Sequence, residues 1–575
     1  MKRLVYILVV SILLTGFTPQ GAYCRGGPPW PPGVRIVPFA TKTDSNRRAA
    51  TEGRPYSTFR SFAQAQASPS PSPSPRVAVI PARTLQELQA KISQVLAKPE
   101  LSSATVGVKV VSLDTGHVLF EENATKLLRP ASNMKLYTVA AALDRLSPDY
   151  KFSTSVYAAT RPDSAGVVHG DLTIYGRGDP SIAARFNNGD YFKAIDELAA
   201  RILAAGVKRV EGDIVGDESY FVGPKYGAGW NWEDLTWYYG AEITPLTVND
   251  NALDLFIKPG SAVGQPALIT TGPPDPLLTI VNKVITSAKG ARREISIHRG
   301  LGENSITITG TIPLEDRGYT GGIGISHPGL LFVYLLRTSL AQKGVVITGK
   351  SRTTGEISQP PSLTDVPVAF ITGTPSPFQN EIASLQSPPF SIIAAQTLKP
   401  SQNLYTELIL RTLGKVTPPP ATTTTPNLAQ TSEELGIEAV KAFLKTVGIR
   451  PEALNLDDGS GLSRNDMITA EASVQLLTFM SKHRYANVFR DALPIGGVDG
   501  TLRNRFRGTP AENNVRAKTG SLSSAASLGG YVTTAAGEKL AFSIMVNNYP
   551  RDVEPRLLCI DPIAILLASY AGKPE

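Results

Sequence analysis

Three short motifs follow one another along the chain, and their side chains are suited to nucleophilic chemistry. They are Ser132-Asn133-Met134-Lys135, Ser401-Gln402-Asn403 and Lys518-Thr519-Gly520. A serine and a lysine three residues apart lie on the same face of a helix. The lysine amine can then accept the serine proton, as histidine does in other serine enzymes. The ordered set therefore indicates a serine nucleophile whose base is lysine.

Lysine can act as a base only where its amine is uncharged. Its ordinary pKa is about 10.4, so removing the proton at pH 7 costs roughly 4.6 kcal/mol. Burial or a second cation nearby can lower this cost. We expect Lys135 to be the base for Ser132, and Lys518 to be the second cation that also attracts a substrate carboxylate.

The middle motif supplies two further polar side chains. The amide of Asn403 both donates and accepts, so it can hold Lys135 and a substrate carbonyl. The hydroxyl of Ser401 can carry a proton between the base and the leaving amine. The predicted catalytic residues are Ser132, Lys135, Ser401, Asn403 and Lys518.

The third motif and the residue after it are predicted to bind substrate. The hydroxyl of Thr519 suits a terminal carboxylate, and Gly520 leaves room for a substrate backbone. The backbone N–H groups of Ser132 and Ser521 are the expected donors to the oxyanion. The predicted substrate-binding residues are Thr519, Gly520 and Ser521.

Other chemistries have weaker support in the sequence. The five histidines do not form His-Glu-x-x-His or another ligand spacing, so no metal site is predicted. There is no Gly-x-Ser-x-Gly elbow of the α/β-hydrolases. A formal phosphate-loop match spans residues 344–351, but its β-branched interior favours a strand where that motif needs a loop that opens a helix. No cofactor is expected.

Length and charge set the broad class. The chain has 575 residues, which suggests about three to four domains. A net charge of +8 fits either an ordinary basic surface or an anionic neighbour such as a cell wall or membrane surface. No dense basic run is interleaved with aromatic residues, so nucleic acid is not an expected partner.

The N-terminal region indicates export. Residues 1–24 are predicted to be a signal peptide, because two basic residues precede an apolar stretch at 4–17. That stretch is shorter than the roughly 20 residues of a membrane span. Cys24 invites a lipoprotein interpretation, but Tyr23 stands where a small residue should precede a lipidated cysteine. We expect a protein of the periplasm or another extracytoplasmic part of the cell envelope.

The next segment has a different composition. Residues 25–83 are rich in Pro, Ser, Gly and Ala, and 68–75 is a strict Ser-Pro alternation. Such a segment buries too little apolar surface to offset its ordering entropy, so a disordered tether is predicted. The second cysteine, Cys559, lies in an apolar run and is expected to be buried, which leaves no disulfide framework.

Apolar periodicity from residue 84 onward predicts the ordered elements. The predicted helices are 84–96, 132–146, 433–447, 470–483 and the stretch from 562. The predicted strands of the first body are 105–112, 117–121, 530–534 and 539–548.

The distance between the first and second motifs is far longer than a connecting loop, which usually has about 4–6 residues. Within it, strand-like runs are interrupted by Gly and Pro. These runs are 171–175, 209–215, 267–270 and 305–310. The sequence therefore predicts a second, largely β body inserted into the first.

At these motifs the chain resembles the penicillin-recognising serine enzymes, with Gln402 in place of the central aspartate of Ser-Asp-Asn. It is most similar to the D-alanyl-D-alanine carboxypeptidase/endopeptidase family, the low-molecular-mass class C penicillin-binding proteins. Four further blocks carry the resemblance: 176–180, 229–235, 458–464 and 497–502. Within these blocks, Asp458 and Asp499 stand beside glycines and are expected to shape loops rather than to act as acids.

This resemblance, over about residues 84–572, implies an α+β fold of the β-lactamase/DD-peptidase type. Residues 84–153 and 380–575 would form the catalytic domain, an antiparallel sheet flanked by helices. Residues 154–379 would form the inserted, mostly β domains. The implied activity is cleavage between two terminal D-alanines of a peptidoglycan stem peptide, or of a D-centre cross-link, through an acyl-enzyme. The implied partners are peptidoglycan peptides and β-lactam antibiotics, which should acylate the protein and leave slowly.

Two alternatives share some of these features. A β-lactamase or a D-aminopeptidase/esterase of the same superfamily would carry the same motifs, although its usual chain is much shorter. A non-catalytic wall-binding protein would rely on the insertion, although the intact nucleophile and base argue against it.

Overall fold

The computed structural model describes residues 80–355, 380–417 and 430–572. The predicted signal peptide, Cys24 and most of the predicted tether lie outside these ranges. The described α-helices are α1 (Leu85–Leu96), α2 (Met134–Leu146), α3 (Lys193–Ala204), α4 (Pro328–Gln342), α5 (Phe390–Leu398), α6 (Asn403–Val416), α7 (Ser432–Val447), α8 (Ala470–Lys482), α9 (Ala486–Ala492) and α10 (Asp561–Ser569).

The strands fall into two groups, an N- and C-terminal group and an intervening one. Those of the first group are β1 (Thr105–Ser112), β2 (Val118–Glu122), β17 (Leu454–Asn455), β18 (Met467–Ile468), β19 (Arg516–Leu522), β20 (Ala525–Thr533) and β21 (Lys539–Asn547). Those between them are β3 (Ser153–Ala158), β4 (Val167–Val168), β5 (Leu172–Tyr175), β6 (Arg209–Val210), β7 (Ile214–Asp217), β8 (Ala252–Lys258), β9 (Leu268–Gly272), β10 (Thr279–Ser287), β11 (Glu294–Arg299), β12 (Ser305–Pro313), β13 (Tyr319–Gly324), β14 (Val346–Ile347), β15 (Ser351–Thr354) and β16 (Asn380–Gln386).

A five-stranded antiparallel sheet joins the two ends of the described chain, in the order β19-β20-β21-β1-β2. Successive side chains of its central strands point to opposite faces. Val110 packs into a core with α1 and α10, while Val111 packs into a core with α2 and α8. Helices therefore cover both faces, and the predicted antiparallel sheet flanked by helices is confirmed.

The intervening strands enclose a core of their own, whose buried residues run from Val156 to Leu385. Three three-stranded sheets and one five-stranded sheet surround this core, and of the described helices only α3 and α4 contribute residues to it. The predicted mostly β insertion therefore also contains two helices. Strand β16 pairs with β3, so the sheet of the insertion extends beyond residue 379, the predicted boundary.

Several elements begin or end where local chemistry sets them. Helix α1 starts one residue later than predicted because Thr84 is its N-cap, accepting from the N–H of Glu87 at 3.2 Å. Helix α2 starts at Met134 rather than Ser132. The preceding residues, Ala131–Asn133, form a 3₁₀ turn, and Ala131 has φ 48°, which a right-handed helix cannot accommodate.

Two further expectations can be compared with the structure. The formal phosphate-loop match covers the short strand β14 and the start of β15, so a strand stands where that motif needs a helix. Cys559 is fully buried, as predicted. Among the described residues, no helix has the length and apolar character needed to cross a membrane.

Candidate active site

Ser132 lies in the 3₁₀ turn that leads into α2, and Lys135 lies in the first turn of that helix. The two side chains face each other, with 2.8 Å between Oγ of Ser132 and Nζ of Lys135. Lys135 is completely buried, whereas Ser132 is partly exposed. The hydroxyl is therefore open to a substrate, while the amine behind it is shielded from water.

Two more oxygen atoms surround the Lys135 amine. Nζ donates to Oδ1 of Asn403 at 2.6 Å and to the backbone carbonyl of Ser460 at 2.7 Å. A neutral amine has two N–H bonds and one lone pair, and amide and carbonyl oxygens can only accept. If these two acceptors take both N–H bonds, the lone pair is left facing the Ser132 hydroxyl. The arrangement suits proton transfer from serine to lysine.

Burial changes the protonation of this amine. Removal from water lowers the pKa of Lys135 to about 7, against the opposing effect of the carboxylates of Asp458, Glu407 and Asp466. The cost of an uncharged lysine at neutral pH, about 4.6 kcal/mol for an ordinary one, therefore largely disappears.

We expect activity to follow the deprotonation of Lys135. Its pKa is lowered to about 7, and the active form is the neutral amine, so the rate rises as pH increases through 7. Below that point the acylation rate constant should fall about tenfold per pH unit. Stopped-flow acylation by a chromogenic cephalosporin from pH 5 to 9 measures the profile. A rate that stays flat from pH 5 to 8 would contradict it.

Lys518 lies on the edge strand β19 and is also completely buried. Its Nζ donates to Oγ of Ser401 at 2.8 Å and to the carbonyl of Thr519 at 2.8 Å. Burial, and secondarily the charge of Lys135, hold the pKa of Lys518 well below its ordinary value. Burial is thus the largest cause of the lowered pKa of Lys135, and the role of Lys518 as a second cation stays a prediction.

Asn133, the second residue of the first motif, connects the turn that carries Ser132 to the sheet by hydrogen bonds. Its Nδ2 donates to the carbonyl of Lys518 at 3.1 Å and to Oγ of Ser527 at 2.6 Å. The Ser527 hydroxyl in turn donates to the carbonyl of Pro130 at 2.6 Å. These bonds connect the turn that carries Ser132 with β19 and β20.

The same contact explains Gly520. A Cβ at this position would lie 2.4 Å from the carbonyl oxygen of Pro130 and 2.2 Å from Oγ of Ser527. The absence of a side chain at Gly520 therefore leaves room for the turn that carries Ser132 and for the side chain of Ser527. The expectation that Gly520 also leaves room for a substrate backbone stays a prediction.

The remaining third-motif residues lie at the open side of the site. Thr519 is partly exposed, and its hydroxyl bonds to that of Thr501 over 2.8 Å. Ser521 is exposed on the same strand. Their predicted roles toward a carboxylate and an oxyanion stay predictions.

The middle motif lies at the junction of α5 and α6. Ser401 adopts a left-handed backbone conformation, with φ 67°, which costs free energy for a residue other than glycine. Asn403 begins α6 and is 7% exposed. This conformation places Ser401 against Lys518, while Asn403 faces Lys135.

Asp458 organises the loop that supplies the Ser460 carbonyl. One carboxylate oxygen accepts from the N–H of Gly461 at 2.6 Å, and the other accepts from the N–H groups of Leu462 and Ser463 at 3.1 and 2.9 Å. Asp499 accepts from the N–H of Ile495 at 2.9 Å. Both aspartates shape loops, as predicted.

A buried charged cluster lies behind this loop. Glu407 accepts from the N–H of Gly459 at 3.1 Å, and burial raises its pKa well above the usual range. Burial has the same effect on the pKa of Asp466. Arg411 lies 3.8 Å from Glu407 and 3.6 Å from Glu433, so it offsets part of this negative charge.

The structure thus brings the five predicted catalytic side chains into two clusters, each held by hydrogen bonds between its members. These clusters are Ser132–Lys135–Asn403 and Ser401–Lys518. The sequence interpretation did not identify three contributors, Asn133, Ser460 and Thr501. Asn133 lies inside the first motif, and Ser460 and Thr501 lie within blocks at 458–464 and 497–502. The sequence offered no chemical pattern that identifies these three residues, and only their positions within the motif and the blocks pointed to them.

Known proteins resemble this chain over most of its length. A model of the D-Ala-D-Ala carboxypeptidase 3 (S13) family matches residues 88–569. The D-alanyl-D-alanine carboxypeptidase of Actinomadura sp. is 34% identical over 501 residues, which cover 85% of this chain and 86% of that protein. A carboxypeptidase of Haemophilus influenzae, named D-alanyl-D-alanine carboxypeptidase DacB, is 24% identical over 78% of this chain and 86% of its own.

The fold is also similar to solved structures. The crystal structure of penicillin binding protein 4 from Haemophilus influenzae superposes with a TM-score of 0.68 at 22% identity, covering 83% of this chain and 99% of that one. A second structure of the same protein, in complex with a β-lactam, gives a TM-score of 0.62 at 21% identity over 84% of this chain and 100% of that one.

Proposed function

This chain belongs to the D-Ala-D-Ala carboxypeptidase 3 (S13) family, and from that premise we propose an exported serine DD-peptidase that acts on peptidoglycan stem peptides. Its D-Ala-D-Ala carboxypeptidase activity follows from the family and from the relative at 34% identity. The observation that carries the finer proposal is the Lys135 amine, buried between two acceptors and 2.8 Å from the Ser132 hydroxyl.

In the proposed acylation step, Oγ of Ser132 attacks the carbonyl carbon between the two terminal D-alanines. The hydroxyl proton passes to Nζ of Lys135, and a bond forms between Oγ and the carbonyl carbon. The backbone N–H groups of Ser132 and Ser521 stabilise the oxyanion. Protonation of the leaving amine through the Ser401 hydroxyl then allows the C–N bond to break, and the terminal D-alanine departs.

Hydrolysis completes the cycle. Water adds its oxygen to the ester carbon and gives a proton to Lys135. The bond between that carbon and Oγ of Ser132 then breaks, Oγ takes the proton from Lys135, and the shortened peptide leaves with a free carboxyl group. In this proposal the substrate carboxylate binds at Lys518 and Thr519. A carboxylate beside Lys518 favours the charged ammonium, and that charge disfavours protonation of Lys135. Substrate binding would therefore favour Lys518 as the second cation beside Lys135.

β-Lactams are proposed to acylate Ser132 by the same route. The complex of Haemophilus influenzae penicillin binding protein 4 with a β-lactam supports this for a protein of the same fold. Export is proposed from the signal-like residues 1–24, with the periplasm or the outer cell envelope as the location and peptidoglycan peptides as the partner.

The products formed from wall fragments test this proposal directly. We expect the purified protein to release free D-alanine from a pentapeptide monomer and to separate a D-centre cross-linked dimer into monomers. Ser132→Ala is the matched control and should do neither. Mass spectrometry of separated products measures both reactions. Intact monomer and dimer after incubation with the wild-type protein would contradict the proposal, and cleavage of the monomer alone would restrict it to carboxypeptidase action.

The rate of penicillin turnover separates this function from a β-lactamase. A DD-peptidase acylates and releases the product slowly, so the covalent adduct should persist for minutes or longer. Intact-protein mass spectrometry follows the adduct over time. Rapid loss of the adduct with steady consumption of penicillin would favour the β-lactamase alternative.

A further inference from the structure

Two of the three oxygen atoms around the Lys135 amine are kept in position by hydrogen bonds that involve residues of the insertion. The first is Oδ1 of Asn403. The other end of that amide, Nδ2, donates to the backbone carbonyl of Tyr239 at 2.8 Å. A carbonyl can only accept, so it fixes which end of the amide turns toward Lys135. Rotation of the amide by 180° would present two donors to the amine instead of an acceptor.

The second is the carbonyl of Ser460. Its loop is arranged around Asp458, whose carboxylate also accepts from the indole N–H of Trp230 at 2.7 Å. Trp230 belongs to the insertion and is half-buried. The Ser460 hydroxyl donates to the same carboxylate oxygen at 3.1 Å. The Asp458 carboxylate therefore connects the indole N–H with Ser460, the residue whose carbonyl accepts from Lys135.

The backbone of the insertion lies close enough for this contact because of Gly229. It has φ 68°, and a Cβ there would lie 2.2 Å from Oγ of Ser463 and 2.4 Å from the carboxylate of Asp457. Beside it, Arg464 donates to Asp234 at 2.9 Å. The insertion thus contacts the loop at several points, and Trp230 is the one whose donor reaches Asp458.

We propose that Trp230 and the Tyr239 carbonyl are positioning groups of the catalytic site, by which the insertion directs the lone pair of Lys135 toward Ser132. This inference rests on the proposed function, in which Lys135 is the base. It assigns to the insertion a part in the chemistry itself. Neither group contacts the reacting atoms, because Trp230 acts through Asp458 and Tyr239 acts through Asn403.

The charges around Lys135 give the inference a distinct signature. The carboxylates of Asp458, Glu407 and Asp466 favour the charged amine, with Asp458 the strongest of the three, while burial opposes it. Lys518 is a further ionisable group of the site, and burial, followed by the charge of Lys135, lowers its pKa. Arg411 and Glu433 lie behind Glu407. Neutralising Asp458 should therefore lower the pKa of Lys135, which a purely structural role would not do.

Trp230→Phe tests the link from the side of the insertion. It removes the N–H and keeps an aromatic ring, although a smaller one, so the acylation rate constant should fall about tenfold. Trp232→Phe is the matched control, because that side chain is 61% exposed and two residues away. Its acylation rate should equal that of the wild type. A fluorescent penicillin measures both rates, and thermal unfolding checks that both variants fold. A folded Trp230→Phe protein that acylates as fast as Trp232→Phe would overturn the inference.

Asp458→Asn tests the same link from the catalytic side, and it serves where the tryptophan variant folds poorly. Its acylation should slow about tenfold or more, and the acid limb of the pH profile should move to lower pH. If the indole acts through Asp458, adding Trp230→Phe to this variant should slow acylation less than twofold further. An unmoved acid limb, or a second full tenfold loss in the double variant, would overturn the inference.

Failure of this inference is separable from failure of the proposed function. If Ser132→Ala or Lys135→Arg leaves acylation intact, the proposed nucleophile or base is wrong. If those variants lose acylation while Trp230→Phe and Asp458→Asn behave as the wild type, the function stands and the role of the insertion is wrong.

Discussion

Ser132→Ala should abolish covalent labelling by a fluorescent penicillin, with the acylation rate falling by at least about 10³-fold. The substitution removes the oxygen that is proposed to form the ester. Lys135 keeps its acceptors Asn403 and Ser460, so the site stays assembled around it. In-gel fluorescence after timed labelling measures the loss.

The control for this variant is Ser523→Ala. Ser523 is exposed in the turn between β19 and β20, so its hydroxyl is available to solvent, yet it should label as the wild type does. The thermal midpoint of Ser132→Ala should stay within a few degrees of the wild type, because the removed hydroxyl is partly exposed. Stable labelling of the folded Ser132→Ala protein would remove Ser132 from the role of nucleophile.

Lys135→Arg should produce a loss of similar size, at least about 10³-fold in acylation rate. A guanidinium keeps its proton at any pH that proteins tolerate, so burial cannot turn it into a base as it does the lysine amine. The nearby carboxylates of Asp458, Glu407 and Asp466 further favour the charged form. Raising the pH to 9 should not restore the rate, and a pH series of stopped-flow acylation measures this.

Because position 135 is fully buried, a larger guanidinium could disturb the fold. Lys135→Met provides a second variant, since methionine is unbranched, of similar length and uncharged. It should fold and fail to acylate. Lys126→Arg, at an exposed position on the approach to the nucleophile turn, is the matched control and should acylate normally. A Lys135→Met protein that acylates at a normal rate would remove lysine from the role of base.

Periodicity and motif chemistry predicted the elements that carry the site. Helices α1, α2, α7 and α8 lie within two residues of their predicted bounds, because each has an apolar face of helical spacing. The predicted strand 209–215 is two strands, β6 and β7, because residues 211–213 carry the chain from one sheet to another. Helices α3 to α6 had no predicted counterpart, although α6 begins with a motif residue.

The sequence by itself predicted a serine nucleophile, a lysine base and their polar neighbours, because a hydroxyl and an amine one helical turn apart carry their chemistry in their spacing. The sequence also indicated the family, because the three motifs in order are specific where any one of them alone is not. Only the tertiary structure decided how the base is made neutral. The depth of burial, the acceptors at Asn403 and Ser460, and the carboxylates behind them come from segments far apart in the chain. A pKa depends on distances and on access of water, and neither is written in local spacing.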